Sequence, residues 1–321
     1  MRKSTIVWLI IATSLILIGI VIFTGVMTML KWDFSKLSTV KYETNQYTVS
    51  ESFTNISVIT DTANVTFVPT EESECTIVCN EESNAKHNVS VANDTLSITL
   101  NDTRKWYEYI GISIGDATAI TVYVPHSNYG DLSIIGSTGD VYLEKDFKFN
   151  SIDVKLSTGD IVSRSHADNG VKLKADTGSI FVEDISCAYL ELTVTTGTIN
   201  GKNIECSGDL SINTSTGRSN LSNTSCNNLT SIGNTGDFHL NTVIASEKVH
   251  IKRSTGDITL ANCDAAELLI ITYTGDVSGT LLTEKTFIAI TETGNVSVPE
   301  PISGGKCQVK TRTGDINFTI A

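Results

Sequence analysis

Proline is scarce in this chain, with four residues against 23 glycines in 321 positions. Proline-rich linkers are thereby excluded, and β-ladders can run on with few missing N–H donors. Charge is also sparse, at 18% of residues, and the balance is acidic: 23 basic against 36 acidic side chains, a formal net charge of −13. With no basic patch to reverse that field, a phosphate backbone is repelled, and nucleic acid is excluded as a partner. Only five histidines occur, His87, His126, His166, His239 and His250. They fall at unrelated places with no recurring acid or nucleophile, so no catalytic triad, zinc spacing or phosphate loop can be assembled from them. No catalytic residue, cofactor or enzyme activity is expected of the chain. Seven cysteines are an odd number in a long chain and do not read as the disulfide framework of a small secreted domain. Cys75 and Cys79 share a strand face about 13 Å apart, too far to bond each other.

What the chain has instead is one long apolar run and one long repeat. Ile6 to Leu30 carries no charged side chain over 25 residues, enough to span about 30 Å of hydrocarbon as a helix. A cleaved signal peptide would have a shorter apolar core and a small-residue cleavage site, whereas Trp32 and Phe34 follow here. The expectation is an uncleaved, single-pass membrane anchor with a short inner tail and the folded part outside. Residues 1–5 are then the tail, 6–30 the span and 31–49 a juxtamembrane linker.

The repeat organises the second half. Glycines recur at Gly139, Gly159, Gly178, Gly197, Gly217, Gly236, Gly256, Gly275, Gly294 and Gly314, always 19 or 20 residues apart and always preceded by threonine. Apolar residues alternate around each one, as half-buried strands require. Ile152, Val154 and Leu156 stand seven, five and three residues before a glycine. Ile180 and Val182 stand two and four after one, and Ile185 and Cys187 seven and nine after. Three short strands and their turns make one triangular coil. A coil cannot bury its inner face alone, but stacking at about 4.8 Å pairs each strand with its counterparts. The fold expected is an all-β, single-stranded parallel β-helix, right-handed because such crossovers are so in about 98% of cases. The turn requires positive φ, which glycine adopts without steric cost. The threonine continues the inward alternation and is expected to form a hydroxyl ladder under the turn. Residues 131–321 form the regular solenoid. Residues 50–130 carry a less regular version, with Thr62-Ala63-Asn64 as a degenerate turn, and read as initial coils and cap.

The ten T-G turns, the strand from Ile120 to Pro125 ahead of the first of them, and the single N-terminal span together resemble a known family. It is the bacterial putative-adhesin domains of unknown function, membrane-linked β-helices with serial T-G-D turns. The resemblance covers about Ser50 to Ala321. It implies a cell-surface role and no reaction, and it carries over no catalytic residue.

Asp237, Asp257 and Asp276 follow three successive glycines and are the one uninterrupted carboxylate triplet that could attract a hard cation. Asp in such turns also accepts backbone hydrogen bonds within its own turn, and that reading is preferred. Cys187, Cys206 and Cys226 should stack on successive coils, close enough for a bridge but better read as small core residues. The aromatic stretch Arg104 to Ile110 reads as a cap over the first coil, or else as an exposed contact surface. Two function classes follow. One is a membrane-tethered, adhesin-like binding or scaffold module at the cell surface, contacting an envelope polymer or a protein. The other is a self-assembling structural protein resembling the bactofilins. A polysaccharide-active β-helix enzyme ranks below both. The last repeat, Thr313 to Ala321, is expected to leave an uncapped end with Ile316 and Phe318, a route to weak end-to-end association.

Overall fold

The computed structural model describes residues 3–110, 117–300 and 303–321. Helix α1, Lys3–Met29, is uninterrupted and apolar all round. Its Ser4–Met29 stretch, with mean hydropathy 3.0, is long and apolar enough to cross a membrane. The remaining regular structure is β-strand except for short 3-10 turns at Phe34–Leu37 and Glu108–Ile110.

The regular part is a parallel β-solenoid. Thr138, Thr158, Thr177 and Thr196 are Cα partners one coil apart, so the T-G turns stack in one column. The alternating apolar residues Ile152, Val154, Ile180, Val182, Ile185, Leu190 and Leu192 are all buried, in a single core running through the coils. Glycine holds its place for two independent reasons. At Gly217 φ is 135°, a region closed to side chains. A Cβ there would also run into the Gly197 carbonyl of the coil below.

Three features differ from the sequence expectation. The turn threonines point outward: Thr138, Thr158 and Thr216 are exposed, because the last inward residue is three before the glycine and the chain then leaves the core. It is their carbonyls that serve the ladder, as where the Thr158 oxygen accepts the Gly139 N–H at 3.1 Å. In two coils the other corners are kinks rather than turns between separate strands, since single strands run through Ser219–Thr235 and Phe238–Thr255, whereas Ile180–Cys187 and Tyr189–Thr196 stay separate as expected. The kink falls six residues after the glycine, at left-handed Asp184, Asn203, Asn223, Thr242 and Asn262. Asp and Asn tolerate that conformation best among residues with side chains. The core also holds an arginine. The Arg253 guanidinium fills the place left by Gly233, where a Cβ would collide with it. It donates to Ser231 Oγ at 2.9 Å and lies 4.9 Å from the Phe238 ring.

The N-terminal base mixes two kinds of pairing. Asn55–Ile59 and Asn64–Thr70 stack parallel beneath the first regular coil, and Thr95–Asp102 and Ala119–Pro125 stack beneath those. An antiparallel layer is added by Cys75–Glu82, Ala85–Ala92 and Tyr42–Val49. The segment 31–49 is therefore not all linker, since Tyr42–Val49 pairs along its whole length with Cys75–Glu82.

At the other end the coils are out of sequence order. Gly305–Thr313 pairs with Glu267–Ile271 on one side and Lys285–Thr293 on the other, so the last coil lies between its two predecessors. Ile316 and Phe318 are buried, which corrects the expectation that they form the free end. The outermost coil is that of Gly294, with Ile288, Ile290 and Val296 exposed. Pro299 follows its short strand Val296–Ser297. A coil with proline lacks a ladder donor and is tolerated best at an edge, whereas Ile316–Ile320 has no proline and pairs on both sides.

Candidate functional site

The turn column is a hydrogen-bond ladder between coils. Asp140 Oδ1 accepts the Asp160 N–H at 2.8 Å, Asp160 Oδ1 the Ser179 N–H at 2.7 Å, and Asn64 begins the series by accepting from Asp140 at 2.9 Å. Asp237, Asp257 and Asp276 each accept from the next coil outward, at 3.1, 2.8 and 2.8 Å. The expected bond within the same turn is replaced by one to a neighbouring coil. Each carboxylate already has a backbone donor at one oxygen, and Asp237 also has the Arg218 guanidinium at 3.5 Å. These hydrogen bonds give each Asp a structural role in joining neighbouring coils.

Cys187 and Cys206 are in-register partners on adjacent coils, and all seven cysteines are free and buried. Burial pushes Cys75, Cys226 and Cys307 up to about 12. Cys206 goes the other way, because its sulfur is paired with the Cys187 thiol and backbone N–H groups of Gly208 and Leu190 support its anion.

The base holds a polar cluster that the sequence reading missed. Cys79, Glu81 and His87 lie with possible ligand atoms within 4.8 Å of one another, all buried. Glu81 Oε2 faces His87 Nδ1 at 2.7 Å and accepts the His87 backbone N–H at 2.6 Å, and Asn45 Nδ2 donates to Oε1 at 2.7 Å. Thr60 Oγ1 meets His87 Nε2 at 3.0 Å. With Nδ1–H donating to Glu81, Nε2 accepts from the threonine, and both ring nitrogens are satisfied. The Thr-His-Glu order imitates a nucleophile relay, but the groups are closed off from solvent and every polar atom has a partner. The arrangement ties the antiparallel layer to the coils. One cue was legible: Cys75, Ile77, Cys79 and Glu81 alternate inward, placing a carboxylate where only a partnered one can stay.

On the outer face, successive coils form a groove of about 390 Å³. Val162 and Phe181 provide apolar surface, and Asn220 Nδ2 donates to Asn200 Oδ1 at 2.8 Å. Beside them Glu183 accepts from Lys202 at 2.8 Å and Arg164 at 3.4 Å. The aromatic stretch of the base does not cap the core: Trp106 is 78% exposed, Tyr107 51% and Tyr109 59%.

The family model for Toastrack DUF4097 matches residues 53–232 and 203–321, which together cover most of the chain. The chain belongs to the Toastrack DUF4097 family. Solved structures similar to this family member include a "putative adhesin" from Bacteroides fragilis, 16% identical, covering 87% of this chain and 97% of its own, with a TM-score of 0.35. A "putative lipid binding protein" from Parabacteroides distasonis is 15% identical over 88% of this chain and 98% of its own, at 0.36. A "putative cell adhesion protein" from Clostridium sporogenes is 11% identical over 88% and 100%, at 0.24. No curated protein matches the chain.

Proposed function

We propose that this Toastrack protein is a non-enzymatic binding module at the cell surface, held by α1 in the membrane and presenting its solenoid outside. In this reading residues 1–5 stay inside, 6–30 span, and the chain from Tyr42 to about residue 130 forms the base of the solenoid 131–321. The observation that carries it is the outer groove at Val162, Phe181, Asn200 and Asn220, which offers apolar contact and paired amides on successive coils. Such a surface suits an extended envelope polymer or a protein segment laid along the stack. External protease on intact, wall-stripped cells is expected to degrade the solenoid, and purified envelope polymer to be retained by the wild-type chain and lost in Phe181→Ala. Protection of the solenoid until lysis would overturn the surface assignment.

A second reading has its own observation. Among the described residues Lys285–Thr293 pairs on one side only, with Gly305–Thr313, and its other edge, beside exposed Ile288, Ile290 and Val296, is a template for further strand pairing. In this reading end-to-end association uses this coil and not the buried Phe318.

A further inference from the structure

The loop Arg104–Tyr109 spends its polar groups on its own rigidity and leaves its aromatic rings outside. Arg104 binds Asp102 and, at 3.1 Å, Glu82. The Tyr109 hydroxyl donates to Asp102 at 3.0 Å, and Glu108 accepts the Lys105 N–H at 2.7 Å and Asn84 Nδ2 at 3.1 Å. Trp106 and Tyr107 meet edge to face at 5.9 Å, and Lys105 Nζ lies 5.9 Å from the Tyr107 ring. An exposed, fixed cluster of Trp and Tyr with a lysine needs an explanation that core packing does not give.

Its position supplies one. The loop shares a pocket of about 520 Å³ with Thr39, Val40 and Lys41. Those residues follow the end of α1 at Met29 by about ten positions, at most about 35 Å of extended chain. That tether is shortened by left-handed Lys31 and Trp32 and by the 3-10 turn Phe34–Leu37. Trp32 and Phe34 are themselves exposed, immediately after the helix. Trp and Tyr concentrate where hydrocarbon meets headgroups, because their rings are apolar at one end and polar at the other.

We propose that Trp106, Tyr107 and Tyr109 form a second membrane contact, seated in the headgroup layer beside the anchor and fixing the base of the solenoid on the bilayer. The proposal rests on the reading of α1 as a membrane span. The partner it commits to is the lipid interface, and a protein partner for the same rings is an outcome of the test.

The chain has three tryptophans, Trp8, Trp32 and Trp106, so the full-length double variant Trp8→Phe, Trp32→Phe reports on the loop alone. It would be reconstituted into vesicles of phosphatidylcholine and phosphatidylglycerol and floated. Lipids brominated near the headgroup are expected to quench Trp106 strongly, lipids brominated at the chain ends weakly, and aqueous iodide less than in detergent. Adding Tyr107→Ser and Tyr109→Ser should reduce the shallow quenching. A chain that floats while Trp106 ignores both bromolipids and stays open to iodide overturns the proposal and leaves the anchor standing, which returns the rings to a protein partner or to water. A chain that washes off at alkaline pH overturns the anchor, and this contact with it.

Discussion

The two ends of the solenoid solve the same problem in different ways. At the base, antiparallel strands fold over the first coils, and a buried Glu81–His87 pair ties the layer in place. At the far end no such layer is added among the described residues; the chain builds the Gly294 coil outermost and then inserts the Gly314 coil beneath it. The base therefore ends in satisfied polar groups, the tip in an open ladder with apolar residues beside it. A terminal repeat must differ from internal ones, and here the tip differs in order of stacking more than in composition.

The largest effect should come from exchanging the roles of two residues near the tip. Phe318 is 2% exposed and packs 5.6 Å from the Phe287 ring. Phe318→Lys buries an unpaired charge and removes an aromatic, an expected loss of about 4 kcal/mol in urea denaturation. Ile290 is 50% exposed on the edge coil, and Ile290→Lys should change stability by no more than about 0.5 kcal/mol. Sedimentation over a wide concentration range should show Ile290→Lys, and not a surface change in the middle coils, weakening any self-association. If Phe318→Lys proved harmless and Ile290→Lys severe, the inserted coil would be the wrong order and the coils would stack in sequence.

How much of this could be read from the residues alone follows from what the repeat encodes. A threonine-glycine pair every 19 or 20 residues, flanked by alternating apolar positions, specifies a stack of coils whatever their order. The inner faces at Ile152, Val154 and Leu156 were legible for that reason. The order at the tip was not, because the Gly294 and Gly314 coils carry the same signature, and only Pro299, Pro301 and the small inward Ala289 hint at an edge. The direction of the turn threonines was misread because alternation was extended past the point where the chain leaves the core. Arg253 stands at an inward position, and its acceptance depends on Gly233 one coil below, a pairing visible once coils are stacked. For the base, strand alternation placed Glu81 inward, but its partner His87 arrives through hairpin pairing that no period announces.

A middling effect tests whether the middle coils are more tightly constrained than the tip. Gly217→Ala forces a side chain into a φ of 135° and against the Gly197 carbonyl, with coils on both sides. About 2–3 kcal/mol should be lost. Gly294 has a similar φ of 146°, but among the described residues its coil has no neighbour on the far side, so it can lift away from the Gly314 carbonyl. Gly294→Ala should therefore cost less by the same denaturation measurement. Equal costs would mean that backbone conformation alone, and not stacking, selects glycine.

The smallest effect concerns the carboxylates of the turn column. Asp257 Oδ1 accepts the Asp276 N–H at 2.8 Å, one bond between adjacent coils, and Asp257→Ala should cost about 1 kcal/mol. Asp257→Asn keeps the acceptor oxygen and should cost much less. The chain already uses that residue at the base, where Asn64 Oδ1 accepts the Asp140 N–H at 2.9 Å. Charge is thus dispensable to the ladder, whereas a bound calcium would require it. Thermal melts of wild type with calcium and with chelator are expected to coincide, and Asp257→Asn to behave alike in both. A calcium-dependent rise in wild type that Asp257→Asn abolishes would show that the column holds cations as well as coils, and would set the middle of the rod apart from both its ends by chemistry rather than by packing.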